Sequence, residues 1–289
     1  GSVGKTSVRD MIYYVVNEKY RCGRNLKNFN NFVGLPLSIF QFDDSLEVVV
    51  LEMGMSDFGE IDRLASIVKP HIGVITNIGV AHMESLGSQA KMEIAKHIAG
   101  DDELPGTLIY ASDSEFLTKE RTKGNYDQIS VGEKGKDDYI ISSVDDFGMD
   151  GIKFTLEHAQ EVRQISLPLP GRHNAINSAL AVAVGDLLGV SPEEETDGLA
   201  AADLTGNRLK RRENDSICVI DDTYNASPDS MKSALRVLEH SRCDGKKIAI
   251  LGDMYELGED SDRQHFGVGL FAGGLKIDTL IAIARQEDL

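Results

Sequence analysis

The most specific chemistry in this sequence lies in its first seven residues, Gly1-Ser2-Val3-Gly4-Lys5-Thr6-Ser7. A Gly-x-x-Gly-Lys-Thr turn leaves backbone N–H groups pointing at phosphate oxygens. Lys5 can reach the outer phosphates, and the Thr6 hydroxyl can ligate Mg2+. Thr6 to Ile12 reads as a helix start, which adds the positive end of a helix to the same site. The plainer reading is an extraneous Gly1-Ser2 beside a chance Gly-Lys-Thr. The helical spacing of Val8, Met11, Ile12, Val15 and Val16 that follows favours the phosphate loop. A buried strand normally precedes such a loop and the sequence has none, so the chain is expected to be part of a longer protein.

Other candidate groups collect where short apolar runs end. Glu52 follows the run Leu46 to Leu51, and a carboxylate at the end of a buried strand is costly unless paired. The Mg2+ held by Thr6 is the economical partner; the alternative is a glutamate that reaches solvent or caps a helix. His82 follows Thr76-Asn77-Ile78 past a second strand, where it is either a metal ligand or a structural histidine. Lys91 reads by itself as a solvated helix lysine. His173-Asn174 precedes an alanine-rich helix, and Asn174 is equally a helix cap or a nucleotide contact. Asp221 to Asp229 (Asp-Asp-Thr-Tyr-Asn-Ala-Ser-Pro-Asp) combines acids at a strand end with Tyr224, Asn225 and a proline turn, which favours a site over a simple turn.

The elements that must position these groups alternate strand and helix. Leu46 to Leu51, His71 to Ile78 and Thr107 to Tyr110 read as short parallel strands. Polar groups past their ends are where an open α/β sheet binds ligands. Tyr126 to Leu169 has alternating runs broken by Gly and Asp, consistent with a small antiparallel extension of the same domain. A helix over 175–188 follows, closed by Gly189, and Ser191-Pro192-Glu193-Glu194 opens the next with a capping box. The pattern restarts near Leu204 to Arg208, with strands at 216–220, 247–251 and 279–284 and a helix at 230–238. The expected organisation is a first α/β domain over residues 1–206 and a smaller, incomplete one over 207–289.

Composition narrows the partners. A chain of 289 residues with 41% hydrophobic and 27% charged residues is an ordinary globular protein of one or two domains. Its net charge of −17 argues against nucleic acid or an anionic membrane as partner, while leaving room for a local phosphate site. Cys22, Cys218 and Cys243 have no metal-finger spacing and suit a reducing cytosol. No apolar run reaches the length of a membrane span.

Together these motifs resemble the Mur ligase family over nearly the whole chain. The likeness rests on Gly1 to Ser7, Asn28-Phe29-Asn30-Asn31 with Gly34-Leu35-Pro36, Glu52-Met53-Gly54-Met55, and Thr76-Asn77-Ile78 with His82. It continues through Leu86-Gly87-Ser88, Ala90 to Ile94, Gly171 to Asn174 with Asn177, Asp222 to Ser230, and Leu251 to Met254 with Glu256-Leu257-Gly258. The Glu-Met-Gly-Met, Tyr-Asn-Ala-x-Pro and Gly-Asp-Met-x-Glu-Leu-Gly segments are similar to the branch that joins D-alanyl-D-alanine to UDP-MurNAc-tripeptide.

The resemblance implies a phosphate-loop NTPase-like central domain with a mostly parallel sheet, followed by a Rossmann-like α/β domain. It implies an ATP-dependent, ADP-forming ligase of peptidoglycan precursor synthesis that works through an acyl phosphate, as a cytoplasmic monomer. Gly4, Lys5, Thr6 and Ser7 resemble the ATP phosphate cradle. Thr6 and Glu52 resemble ligands of a first Mg2+, and His82 a ligand of a second. Lys91 resembles the lysine that family members carry as a carbamate, a carboxylate-like metal ligand. Asn174, Arg208, Asp222, Tyr224 and Asn225 resemble groups that close over ATP, and Asn30 and Asn31 a loop that meets the UDP-sugar-peptide. Three features depart from the family: no N-terminal UDP-holding domain, a short spacing between Ser88 and Lys91, and no C-terminal Lys-Gly-Ser-Arg type segment. The alternatives are a Mur or folylpolyglutamate-type ligase with another substrate, a phosphate-loop NTPase or kinase, and a non-catalytic binding fragment.

Overall fold

The computed structural model describes residues 4–26, 29–55, 57–77, 94, 96–100, 105–114, 117–118, 124–255 and 257–283. The chain divides into two compact units. One comprises residues 1–143, 154–165 and 175–205; the other comprises 144–153, 166–174 and 206–289.

In the first unit, helix α1 (Lys5–Asn17) begins directly after the glycine loop. Val8, Met11, Ile12, Val15 and Val16 form its buried face, as their spacing predicts. Strand β1 (Cys22–Arg24) pairs in parallel with β2 (Val48–Val50), and short helices α2 (Gly34–Ile39) and α3 (Glu60–Val68) flank β2 in sequence. The β-branched run at 46–51 is thus a parallel strand, but Val49 is exposed. A three-residue partner on one side leaves its faces only part covered.

The main sheet has six strands in the order β3 (Ile72–Ile75), β4 (Thr107–Ala111), β5 (Asp127–Gly132), β6 (Tyr139–Asp146), β7 (Ile152–His158) and β8 (Glu161–Leu167). The pairs from β3 to β6 are parallel. Ala159 and Gln160 link β7 to β8 with φ of 48° and 71°. Two left-handed residues make the tight turn that only antiparallel strands can share. Five residues between β6 and β7 are likewise too few for a parallel crossover. The stretch after Tyr126, expected as an antiparallel extension, is thus so only in its second half: β5 and β6 continue the parallel sheet, and β7 and β8 add antiparallel strands to it.

Helix α4 (His173–Leu187) starts two residues earlier than its alanine run suggests. Its residues Ala179 to Ala183 are almost wholly buried. Helix α5 (Pro192–Ala201) has the capping box read from sequence: Ser191 accepts from the Glu194 N–H, and Glu194 accepts from the Ser191 N–H. It packs closely on α1. A Cβ at Gly198 would lie 2.7 Å from both the Tyr14 carbonyl oxygen and the Val15 Cα.

In the second unit, β9 (Lys210–Glu213) and β10 (Cys218–Asp221) form an antiparallel pair, and β11 (Ile248–Leu251) pairs in parallel with β12 (Thr279–Ala282). Helix α6 (Pro228–His240) opens on a second capping box, between Ser227 and Ser230. It packs against α7 (Ser261–Gly273) around Leu235, Ala249, Met254, Val268 and Ala272. The sequence reading lacks β1, β9, α2, α3 and α7. Strands of three or four residues and one- or two-turn helices carry too few residues to display a period, and α7 has Gly267 and Gly269 inside its pattern.

Two glycine substitutions should move stability in opposite directions. Alanine favours a helix interior over glycine by about 1 kcal/mol. At Gly267, where nothing lies within 4 Å of the added Cβ, that gain should appear as a higher denaturation midpoint. At Gly198 the clash with α1 should outweigh it, since overpacking costs about 1–3 kcal/mol, and the midpoint should fall. Equal shifts for Gly198→Ala and Gly267→Ala in urea denaturation would refute the close approach of α1 and α5.

Candidate functional site

Gly4 takes φ of 85°, a left-handed conformation that lets the loop turn straight into α1. A Cβ there would also sit 3.0 Å from the Asn177 Oδ1 on α4. The Gly4 carbonyl accepts the first helical bond, from the Val8 N–H at 2.8 Å. Gly4, at the N-cap, supplies no side-chain cap, and no acidic residue stands in the first turn. The first-turn N–H groups have no partner within the helix, and the helix dipole adds partial positive charge. Lys5 and Thr6 are half-buried here and Ser7 is buried, so the loop end, a lysine and a hydroxyl share one anion-attracting helix start. Gly1 to Val3 lie outside the described residues.

One turn into α1, Asp10 is wholly buried and collects donors from three directions. Its Oδ1 accepts from Arg9 Nη2 at 2.6 Å, Arg9 Nε at 2.9 Å and Arg24 Nη1 at 2.8 Å. Its Oδ2 accepts from the Thr205 backbone N–H at 2.7 Å. Arg24 rests on the Tyr13 ring, 4.2 Å from its centre. Arg9 also donates to the Thr205 hydroxyl at 3.0 Å and places Nη1 3.4 Å from the Glu52 Oε2.

Glu52 is buried, and its surroundings are specific. Asn25 holds its main chain on both sides: Asn25 Oδ1 accepts from the Glu52 N–H at 2.9 Å, and Asn25 Nδ2 donates to the Glu52 carbonyl at 3.1 Å. Asn30 Nδ2 donates to Glu52 Oε1 at 2.8 Å. Glu52 Oε2 accepts no hydrogen bond. A buried carboxylate oxygen without a donor fits a hard divalent cation, which takes oxygen ligands. Mg2+ is commonly held by one or two carboxylates together with substrate phosphates, so Glu52 with the Thr6 hydroxyl is a sufficient protein contribution. Among the described residues no group of three or more His, Cys, Asp or Glu converges. His82 and Lys91, the expected ligands of a second ion, lie outside the described residues.

The remaining expected residues are placed as follows. Asn31 closes the turn that leads into α2, its Oδ1 accepting from the Val33 and Gly34 N–H groups. Asn174 is buried and its Nδ2 donates to the Pro170 carbonyl at 2.8 Å, the local tie that its place at a helix start suggests. In the second unit, Arg208, Asp222 and Tyr224 are brought together. The Arg208 guanidinium lies 4.5 Å from the Tyr224 ring centre, and Gly206 packs against the same ring. Arg208 Nε is buried without a hydrogen-bond partner. Asp222 Oδ1 accepts from the Leu209 N–H, and Asn225 Oδ1 from the Ala226 N–H. This arrangement offers a cation, an aromatic face and a carboxyl beside one another. Arg9, Asp10, Arg24 and Asn25 were not singled out from sequence. The sole local signal is a pair of opposite charges inside an otherwise apolar helix face, at Arg9-Asp10.

Burial raises the Asp222 carboxyl from its ordinary 3.8 to about 6, opposed by the Leu209 N–H and the Arg208 charge. A folded state that keeps its proton longer than the unfolded chain loses stability when that proton leaves. The contribution of Asp222 should therefore become less favourable as pH rises from about 4 through 6. Asp222→Asn should remove that slope. Denaturation midpoints of the two proteins compared across this range check it, and a constant difference would contradict the raised value.

Comparison with known proteins places these features. The Mur ligase middle domain matches residues 1–185, and the Mur ligase glutamate ligase domain matches residues 207–288. The UDP-N-acetylmuramoyl-tripeptide–D-alanyl-D-alanine ligase of Bacillus subtilis is 37% identical over 99% of this chain and 62% of its own length. A crystal structure of MurF from Acinetobacter baumannii matches with a TM-score of 0.89 at 30% identity, covering 99% of this chain and 62% of that one. MurF ligase from Thermotoga maritima in complex with ADP matches with a TM-score of 0.80 at 26% identity, covering 99% and 69%. The chain thus spans less than two thirds of the length of the Bacillus relative. With family domains matched on both sides of residue 200 and the same fold in solved relatives, the chain belongs to the Mur ligase family.

Proposed function

We propose that this chain carries the ATP-handling part of a ligase that joins D-alanyl-D-alanine to UDP-MurNAc-tripeptide in peptidoglycan precursor synthesis. The observation that carries the reading is the pairing of a helix start at Gly4-Lys5-Thr6, with no acidic residue in its first turn, with a buried carboxylate, Glu52, whose Oε2 accepts no hydrogen bond. Similarity across nearly the whole chain to ligases of that name supports the choice of substrates. We assign residues 1–206 to the central ATP-binding domain and 207–289 to the C-terminal ligase domain. We place the protein in the cytoplasm as a monomer; among the described residues no helix is long and apolar enough to cross a membrane.

A carboxylate is a poor acyl donor, so the reaction begins by phosphorylating it. The tripeptide's terminal carboxylate attacks the γ-phosphorus of ATP, ADP leaves, and an acyl phosphate forms. The D-alanyl-D-alanine amine then attacks the acyl carbon, inorganic phosphate leaves, and the new amide gives up a proton. Lys5 and the N–H groups of the first turn of α1 hold the phosphates and balance charge on the phosphoryl group in transit. Bound at Thr6 and Glu52, Mg2+ would supply further charge neutralisation at the same oxygens. Arg208, Asp222, Tyr224, Asn225 and Asn174 are assigned to the nucleotide, with Arg208 and Tyr224 offering a cation and a flat face.

Two outcomes test this. In the longer protein, ADP release should require both UDP-MurNAc-tripeptide and D-alanyl-D-alanine, and Lys5→Ala should abolish it while circular dichroism stays unchanged. ADP release at full rate without the amine would favour a phosphate-loop NTPase instead, and a Lys5→Ala protein of near-parental activity would exclude the assigned role. For the second ion, we assign His82 and a carbamylated Lys91. Lys91→Ala should lose activity and recover part of it in formate or acetate, which can stand in for the carbamate. A loss that no small carboxylate relieves would count against the carbamate.

A further inference from the structure

We infer that Asn30, seated by Gly54, is a positioning residue that turns Glu52 so that its Oε2 is left for a divalent cation. The inference rests on the reading of Glu52 as a ligand to such an ion and goes beyond it by explaining why the carboxylate stands in one orientation.

Every other polar group of Glu52 is taken. Asn25 engages both its N–H and its carbonyl, so the backbone at 52 is held as a neighbouring strand would hold it. The carboxylate could still rotate. Asn30 removes that freedom at Oε1, 2.8 Å away. A carboxylate only accepts, so the amide nitrogen of Asn30 must face it, and the amide oxygen faces elsewhere. Oε2 is left without a hydrogen bond; the Arg9 Nη1 lies 3.4 Å from it, and Arg9 makes shorter bonds to Asp10 and Thr205.

Asn30 is itself fixed by the chain it serves. Its carbonyl accepts from the Gly54 N–H at 2.9 Å. Its carboxamide lies flat against Gly54, where an added Cβ would come within 2.9 Å of Cγ and 3.0 Å of both Nδ2 and Oδ1. The glycine two residues after Glu52 thus makes room for the amide that orients Glu52. Groups that orient a metal ligand from behind are worth about 10–100-fold in metal affinity when removed.

The test is a Mn2+ titration of the full chain in the presence of ADP, followed by electron paramagnetic resonance, with ADP affinity in EDTA measured alongside. Asn30→Ala and Gly54→Ala should each weaken Mn2+ binding by about tenfold and leave metal-free ADP affinity unchanged. In a Glu52→Gln background, Asn30→Ala should add no further loss, because the two act as one unit. Circular dichroism and melting of each variant separate lost fold from lost orientation, and Gly54→Ala probes the same contact with Asn30 still present. Mn2+ affinity that survives Asn30→Ala but falls in Glu52→Gln would overturn the positioning role while sparing the metal reading. An equal loss from Asn30→Ala with and without Glu52 would overturn it too. Full Mn2+ affinity in Glu52→Gln would instead remove Glu52 as a ligand, and the inference with it.

Discussion

The first unit depends on one buried carboxylate. Asp10 lies inside α1 with no exposed surface, and two guanidinium groups and a backbone N–H converge on it. Each partner comes from a different part of the chain: Arg9 from the helix itself, Arg24 from β1, and the N–H of Thr205 from the segment after α5. Removing one partner of such a cluster leaves an uncompensated charge, which costs about 3–5 kcal/mol. The requirement is therefore geometric as well as energetic. Helix α1, strand β1 and the 205 segment must stay together, and the phosphate-binding end of α1 is held in register with them.

Arg9 extends this constraint to the chemistry. Its two faces meet Asp10 and Glu52, so the residue that secures the helix also stands beside the carboxylate offered to a metal. The glycines around the site have steric reasons. Gly4 allows the left-handed turn into α1 and clears Asn177, Gly54 clears Asn30, and Gly198 lets α5 approach the backbone of α1. At each position a methyl group would push apart groups whose closeness is the point of the arrangement.

The acidic charge of the chain is compatible with a site for polyphosphate because the attraction is local. With a net charge of −17, the chain's overall field repels anions. The start of α1 reverses this over a few ångströms through its N–H groups and Lys5, with no acidic residue in the first turn. The second unit adds a separate device, in which Gly206 and the Arg208 guanidinium both pack on the Tyr224 ring and Asp222 ties down the 209 turn.

Much was legible in the sequence wherever the signal is local. The apolar period of α1, the β-branched runs of β2, β3 and β4, the capping box at Ser191 and the phosphate loop all depend on residues within one or two turns of each other. Those features indicated an α/β fold with a parallel sheet and an antiparallel extension, and the motif at 1–7 pointed to nucleotide chemistry. The sequence could nominate Glu52 and Asn30 but not their relation, because a hydrogen bond between residues 22 positions apart leaves no mark on periodicity. It could not show that Asp10 would be buried, since a charge in a helix is read as solvated until its partners at 24 and 205 are known. Tertiary structure alone decided which oxygen of Glu52 is held and which is left open, because that depends on where separate stretches of chain bring their donors.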